Sequence, residues 1–143
     1  MKDFEFFIQS GDVKKQIPDS NFSNSLIKDS IKRLKYAKSS SLTEENAKYV
    51  YENAYESLRE AADAILFLKW FKSFSHEATV SFLQQFNEIS IKEISEFDRM
   101  RRKRNGMKYY GKPCPIEDAK DSMEFAEKFM EKLISLQRKS IDR

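Results

Sequence analysis

Apolar residues recur at intervals of three and four along most of the chain, which is the spacing of one buried face of an α-helix. Residues 1–18 hold clustered phenylalanines that fit either a strand-like arm or one or two helical turns, and residues 139–143 are predicted to form a frayed tail. We therefore predict an all-α, up-and-down bundle of about five helices in a single domain, residues 19–138. The helices are predicted at about residues 20–38, 44–73, 76–87, 91–106 and 115–137.

The second predicted helix carries the longest apolar stripe, and Thr43 is its predicted N-cap. Between Ala61 and Phe71 nearly every position is apolar, so this half of the helix needs cover on several sides. Either its own core or a second subunit can provide that cover. A homodimer is predicted on this ground.

Composition excludes several kinds of site. Three glycines and three prolines among 143 residues are typical of a helical protein. With Cys114 and His76 as the one cysteine and the one histidine, neither an internal disulfide nor a Cys/His zinc cluster can form. No apolar run reaches the ~18 to 20 residues of a membrane span, and the acidic start does not suit a secretory signal. The sequence predicts a cytoplasmic protein with no membrane segment, metal or cofactor.

Positive charge is concentrated in one segment. Residues 99–115 carry a local charge of +7, whereas the rest of the chain sums to −4. Such a patch favours an anionic partner, and the neighbouring tyrosines favour nucleic acid, because cations neutralise phosphates and aromatic rings stack on bases. A solvated helix face or an internal ion pair accounts for the same charges. The candidate ligand-binding residues are Arg101, Arg104, Asn105, Lys108, Tyr109, Tyr110 and Lys112.

The helix that carries this segment has clear predicted ends. Ser90 and Glu93 have the spacing of a capping box, and Gly106 is the predicted stop, followed by a loop at residues 109–115. Arg104 follows Phe97 by seven residues, so it continues the apolar stripe of the helix. An arginine there is predicted to lie at the rim of a pocket.

Other polar residues have a structural explanation that the sequence favours. His76 follows a serine at a helix start, which favours a structural or capping role over catalysis. Glu56, Glu60 and Asp63 lie one and two turns apart on the long helix, where they could orient a cation or bind a metal. In a chain with 23 acidic residues, solubility or coincidence is the simpler explanation.

Residues 54–86, AYESLREAADAILFLKWFKSFSHEATVSFLQQF, followed by a helix ending in RMRRKRNGMKYYG, resemble the HEPN family (higher eukaryotes and prokaryotes nucleotide-binding domain). The resemblance extends over about residues 19–137. It implies an all-helical bundle, usually a homodimer in which the arginine motifs of two subunits face a shared cleft. Many such proteins are metal-independent ribonucleases, and some are toxins inhibited by a nucleotidyltransferase partner.

The family motif is an arginine, a polar residue and then a histidine. Arg104 and Asn105 match it, but Tyr109, followed by Tyr110, stands where the histidine is expected. The resemblance implies that Arg104 holds a phosphate, that Asn105 bonds phosphate or ribose, and that a tyrosine stacks or donates a hydrogen bond. With an ordinary pKa of about 10, tyrosine is a poor general base near neutral pH.

The predicted function is therefore RNA or nucleotide binding, as one half of a toxin–antitoxin-type system. A first alternative is an active metal-independent endoribonuclease, with Arg104, Asn105 and Tyr109 as the catalytic residues. A second alternative is a helical module whose basic segment docks an acidic partner protein.

Overall fold

Helices make up 74% of the computed structural model, which describes residues 1–141. The α-helices are α1 (Phe4–Ser10), α2 (Ser20–Ser39), α3 (Ala47–Leu68), α4 (His76–Phe82), α5 (Ile91–Tyr110) and α6 (Ile116–Ile141). The other elements are the strands β1 (Val13–Lys15) and β2 (Phe71–Ser73) and a 3-10 turn at Leu83–Gln85. The predicted all-α bundle is confirmed, with six α-helices in the described part of the chain. No helix within residues 1–141 is both long and apolar enough to cross a membrane.

The core is built around α3, along which both α2 and α6 pack. Ala61 and Ile65 have no exposed surface, so the subunit itself covers the apolar half of this helix. Ser23 Oγ of α2 donates to Ala64 O of α3 at 2.8 Å and accepts from Gln137 Nε2 of α6 at 3.1 Å. This buried contact fixes the three helices against one another. Because α3 is covered within one subunit, its apolar half gives no reason for a second subunit, and the homodimer stays a prediction.

Residues 1–18 contribute three buried side chains to the core, those of Phe4, Phe7 and Val13. The α1 helix begins after Asp3, whose carboxylate accepts a backbone N–H of the first turn at 3.0 Å. The helix buries Phe4 and Phe7, and the Phe4 ring packs edge-on against Phe71 of β2 with 5.2 Å between centroids. The β1 strand then pairs antiparallel with β2. The chain start therefore forms helical turns and a strand that cover the core.

The α3 helix ends earlier than the apolar pattern predicts. Its last residue is Leu68, and Trp70 then takes a left-handed backbone conformation with φ +74°. Such a conformation costs a non-glycine residue on the order of 1 to 3 kcal/mol. The prediction that the helix continues over residues 69–73 is wrong, because this turn directs the chain into β2, where pairing with β1 satisfies the backbone groups.

Further helix ends differ from the predicted ones. The α4 helix ends at Phe82 and a 3-10 turn follows it, so the prediction of a helix to residue 87 is wrong. Thr43 does not cap α3; its hydroxyl accepts the N–H of Asn46 at 3.2 Å in a turn just before the helix. The α6 helix continues to Ile141, so the predicted frayed tail is helical as far as it is described. Asp142 and Arg143, the rest of that predicted tail, lie outside the described residues.

Candidate nucleic-acid interface

The start of α5 is fixed by the predicted capping box. Ser90 Oγ accepts the N–H of Glu93 at 3.1 Å, and the Glu93 carboxylate accepts the N–H of Ser90 at 2.9 Å. Lys132 of α6 donates to the same carboxylate at 2.7 Å. The first turn of α5 is thereby tied to α6.

The end of α5 lies one turn beyond the predicted stop. The helix passes through Gly106 and ends at Tyr110, where Gly111 takes φ +63° and donates its N–H to Gly106 O. Met107 is only 2% exposed, so packing against the core favours another helical turn. The prediction of a stop at Gly106 is wrong, and the loop begins at Gly111.

Arg104 points into the protein and is 5% exposed, as its place on the apolar stripe predicts. Its Nη2 lies 3.3 Å from Glu56 Oε1 of α3, and its Nη1 lies 3.4 Å from Asn105 Oδ1. The guanidinium carbon lies 5.8 Å from the centre of the Tyr55 ring. Its buried Nε has no hydrogen-bond partner within the described chain. The internal ion pair that the sequence left open as an alternative is therefore present at Arg104.

The pair continues along α3 as a ladder formed by Arg104, Glu56, Arg59 and Asp63. Arg59 donates to Glu56 at 2.8 and 3.0 Å and to Asp63 at 2.7 Å, and Thr79 of α4 donates to Asp63 at 2.9 Å. Burial raises the pKa of Asp63 to about 6. Burial also acts to raise the pKa of Glu56, but the hydrogen bond and charge of Arg59, together with Arg104, outweigh it and hold that pKa below its ordinary value. All three acids considered for a cation site thus hold arginines, because Glu60 accepts from Arg33 of α2 at 2.6 Å.

His76 lies beside this ladder, and Tyr55 contacts both His76 and Arg104. The Nδ1 atom of His76 lies 3.0 Å from the Tyr55 hydroxyl. Burial raises the pKa of Tyr55 above its ordinary value, so the phenol keeps its proton, and the imidazole tautomer decides whether the hydroxyl donates to Nδ1 or accepts from it. Burial and the charge of Arg59 lower the pKa of His76 to about 4, so the imidazole is neutral at pH 7. The sequence left open whether His76 approaches Arg104, because helical periodicity relates no residue of α4 to Arg104.

Internal acids also hold Arg101. Its Nε donates to Asp98 at 2.9 Å, and its Nη2 lies 3.7 Å from Glu77 of α4. The side chain is 14% exposed. Arg101 therefore stabilises the contact between α5 and α4 and presents little surface to a ligand.

The remaining predicted residues face solvent at the end of α5. Tyr109 is 64% exposed and Tyr110 is 79% exposed, and Lys108 and Lys112 are exposed as well. Lys108 Nζ lies 5.8 Å from the centre of the Tyr109 ring. The structure thus divides the predicted set between an inward group around Arg104 and an outward group around the two tyrosines.

A groove of about 450 Å³, which we call the basic groove, lies beside this outward group. No carboxylate side chain belongs to its described lining, which consists of Arg99, Arg102, Lys103, Gly106, Met107, Lys112 and Pro113. Arg102 Nε lies 3.3 Å from Asp98, and Lys103 pairs with Asp118. Arg99 and Lys112 have no ion-pair partner within residues 1–141.

Sequence reasoning did not single out the arginines of this groove. Arg99, Arg102 and Lys103 were placed in the basic segment but off the Arg104 face. Their separation of three and four residues, continued to Gly106, indicates a second helical stripe. That spacing is the signal that could have identified the groove.

Within the described residues, no three His, Cys, Asp or Glu side chains are grouped so as to hold a metal ion. The chain matches no protein-family model, no curated protein and no solved structure. The HEPN resemblance therefore stays a prediction, carried by the residues quoted above.

Proposed function

We propose that this protein is a HEPN-like protein that binds RNA or a nucleotide through residues 99–112, with phosphate groups in the basic groove. The observation that carries the proposal is a groove with Arg99, Arg102, Lys103 and Lys112 in its lining and no carboxylate among its described lining residues. Clusters of arginine and lysine bind phosphates by charge-assisted hydrogen bonds and by charge neutralisation.

Two of the groove cations are available to a ligand without losing an internal partner. Arg99 and Lys112 have no ion pair within the described chain. In contrast, Arg102 pairs with Asp98, and Lys103 pairs with Asp118. A phosphate at Arg99 and Lys112 gains charge neutralisation and displaces no carboxylate. These two residues are therefore the principal phosphate contacts of the proposal.

The exposed tyrosines give the same surface an affinity for bases. Tyr109 and Tyr110 lie at the end of α5, within a few residues of Lys112. Unpaired bases stack on exposed aromatic rings irrespective of sequence. Lys108, close to the Tyr109 ring, supports phosphate binding there.

Arg104 receives a different role from the one that the resemblance implies. Its charge is compensated by Glu56, and its side chain is almost fully buried. We assign it to positioning α5 on α3, so that the groove and the tyrosines are held in place. Asn105, which accepts from Arg104 at 3.4 Å, belongs to this inner group.

The test is the salt dependence of binding to a fluorescently labelled single-stranded RNA, measured by anisotropy. Each phosphate contact contributes about 0.7 to the slope of log affinity against log salt. We expect the double variant Arg99→Ala, Lys112→Ala to lower that slope by about 1.4. The matched control is Lys28→Ala, Lys32→Ala on α2, where both lysines are exposed and lie outside the groove.

An unchanged slope in the groove variant contradicts the proposal. If RNA does not bind the unaltered protein at all, the proposal is likewise wrong, and a module that docks an acidic protein becomes the better description. Equal losses in the groove variant and the control indicate nonspecific attraction to total charge and also contradict it.

A metal-independent ribonuclease is a second candidate, and the position of His76 favours it. Tyr55 contacts both His76 and the Arg104 guanidinium, so an imidazole lies near the motif that lacks one. In the tautomer whose Nδ1 accepts from Tyr55, the imidazole Nε2 carries the proton and can donate to a phosphate oxygen. Such a site stabilises charge with Arg104 and His76 and does not use Tyr109 as a base.

RNA cleavage in the presence of a chelator tests this candidate. We expect Arg104→Lys and His76→Gln each to lower the cleavage rate at least about tenfold, with Lys32→Ala as the control. Equal product from the unaltered protein and its three variants indicates a contaminating nuclease and contradicts the candidate. The absence of product from the unaltered protein also contradicts it. The toxin role and the nucleotidyltransferase partner depend on this second candidate, and growth arrest on expression, absent in Arg104→Lys, is its cellular test.

A further inference from the structure

Exposed aromatic rings and lysines lie along residues 70–74 and on the strand paired with them. Trp70 is 58% exposed and Phe74 is 61% exposed, and the exposed Lys72 lies between them along the chain. Lys14 of β1 lies directly opposite Lys72 in the antiparallel register. The neighbouring position Val13 is 3% exposed, so the other face of the pair packs on the core.

The charges on this face are arranged unfavourably for the protein alone. Like charges directly opposite each other destabilise a strand pair, and Lys14 and Lys72 are so placed. Their Nζ atoms lie 5.9 and 5.4 Å from the centre of the Phe74 ring. Neither lysine has an ion-pair partner in the described part of the chain. The acid that directly precedes β1 is Asp12, whose backbone carbonyl accepts the N–H of Phe74. Its carboxylate accepts from Ser10 Oγ at 3.0 Å and pairs with neither lysine.

The tryptophan itself also lacks a structural explanation. Trp70 stands just after α3 in a left-handed conformation, where glycine is the usual residue. More than half of its surface is exposed, so core packing does not account for this side chain. A large aromatic residue held in an unfavourable backbone conformation and turned to solvent is a feature of binding sites.

We propose that this face, the ribbon platform of Trp70, Phe74, Lys14 and Lys72, binds single-stranded RNA by base stacking. The proposal rests on the proposed RNA binding and narrows its ligand to unpaired strands. Exposed aromatic residues on a sheet with cations beside them are a common arrangement for unpaired bases. Trp70 and Phe74 stand on either side of β2, so each exposed ring can stack with a separate base.

The arrangement fits an RNA strand better than a membrane surface. Segments that insert into a lipid headgroup region bury a broad apolar face and keep their cations on the opposite, polar face. Here Lys72 and Lys14 interrupt the apolar surface between the rings. In an RNA complex the same lysines lie beside the stacked bases and neutralise the phosphates that connect them.

Trp70 is the one tryptophan of the chain, so its fluorescence reports on this platform alone. The experiment titrates the full chain with a six-nucleotide oligouridine, with a duplex RNA and with anionic phospholipid vesicles. We expect saturable quenching by the single strand, and a loss of affinity of about tenfold in Phe74→Ala. Tyr36→Ala, which removes an exposed ring on α2, is the matched control and leaves the affinity unchanged.

Parallel anisotropy measurements with labelled oligouridine separate this proposal from the groove. Trp70 emission that stays constant while the labelled strand binds overturns the ribbon platform and leaves the groove intact. Quenching that persists in the variant Arg99→Ala, Lys112→Ala supports the platform even where the groove proposal fails. An equal response to duplex RNA, or a blue shift with vesicles and no response to RNA, overturns it. Circular dichroism melting of Phe74→Ala and Tyr36→Ala verifies that both fold.

Discussion

The Arg104 guanidinium lies 3.3 Å from the Glu56 carboxylate, across the interface between α5 and α3. Their side chains are 6% and 13% exposed, so the pair is largely removed from water. A buried ion pair adds little net stability, but removal of one partner leaves the other charge buried and uncompensated. The pair therefore makes the fold depend on the motif arginine.

We expect Arg104→Ala to lower the free energy of unfolding by roughly 2 to 3 kcal/mol. The loss is limited because Glu56 keeps its hydrogen bonds from Arg59. Arg104→Lys, which retains the charge, is expected to lose less. Urea unfolding followed by circular dichroism measures both, and equal stability of Arg104→Ala and the unaltered protein contradicts the positioning role.

The two glycines at the end of α5 are expected to respond in opposite ways to alanine. Gly106 lies inside the helix, and a Cβ there meets only the flexible Lys112 side chain at 3.3 Å. Gly106→Ala is therefore expected to stabilise the protein by about 0.5 to 1 kcal/mol. Gly111 has φ +63°, so Gly111→Ala is expected to cost about 1 to 2 kcal/mol. Thermal melting of the two variants is the measurement, and shifts of the same sign refute the assignment of the helix end.

His76 is expected to make folding sensitive to acid. Its pKa is about 4 in the folded protein and about 6.5 in an unfolded chain, so the unfolded chain binds more protons between these values. The free-energy advantage of the unaltered protein over His76→Gln is therefore complete above pH 7 and shrinks as the pH falls through 6.5 towards 4. Because His76 is partly exposed, the change is about 1 to 2 kcal/mol. Urea titrations of both proteins at several pH values measure this change. A difference in the free energy of unfolding that stays constant with pH contradicts the prediction.

The effect of Asp63 on the free energy of unfolding has the opposite pH dependence, so the effect of His76 has to be measured as a difference from His76→Gln. Burial raises the pKa of Asp63 to about 6, so its contribution to stability is present below its ordinary pKa and is lost as the pH rises through 6. The two residues therefore offset each other in the unaltered protein. Only the difference from His76→Gln isolates the histidine.

Trp70 is expected to lower the stability of the isolated protein. Glycine adopts φ +74° without strain, so Trp70→Gly is expected to raise the free energy of unfolding by up to about 1 kcal/mol. Lys69 has an ordinary φ of −97°, and the neighbouring control Lys69→Gly is expected to lose a similar amount. A clear loss of stability in Trp70→Gly shows instead that the ring is held there by packing.

Local sequence signals predicted the elements that depend on neighbouring residues. The capping box of Ser90 and Glu93 determined the start of α5, and the seven-residue interval after Phe97 identified Arg104 as buried. Both features are set within two turns of one helix. The prediction of Gly106 as the helix stop is wrong, because the packing of Met107 against the core extends the helix to Tyr110.

Features that join distant parts of the chain could not be predicted in this way. The β1–β2 pair has three residues in each strand, too few for a periodic pattern, and its strands are separated by α2 and α3. The Glu56 partner of Arg104 and the Tyr55 partner of His76 are likewise long-range contacts. Hydrophobic spacing reports which side chains are buried but does not report their partners.

The strand pairing also bears on how this protein can be shortened. A chain that begins at residue 19 retains α2 to α6 but loses the Phe4 and Phe7 rings and leaves β2 with an open edge. Open edges recruit strands from other molecules, and vacated aromatic volume destabilises what remains. We expect such a fragment to sediment as heterogeneous oligomers, so the first eighteen residues keep this bundle monodisperse as well as folded.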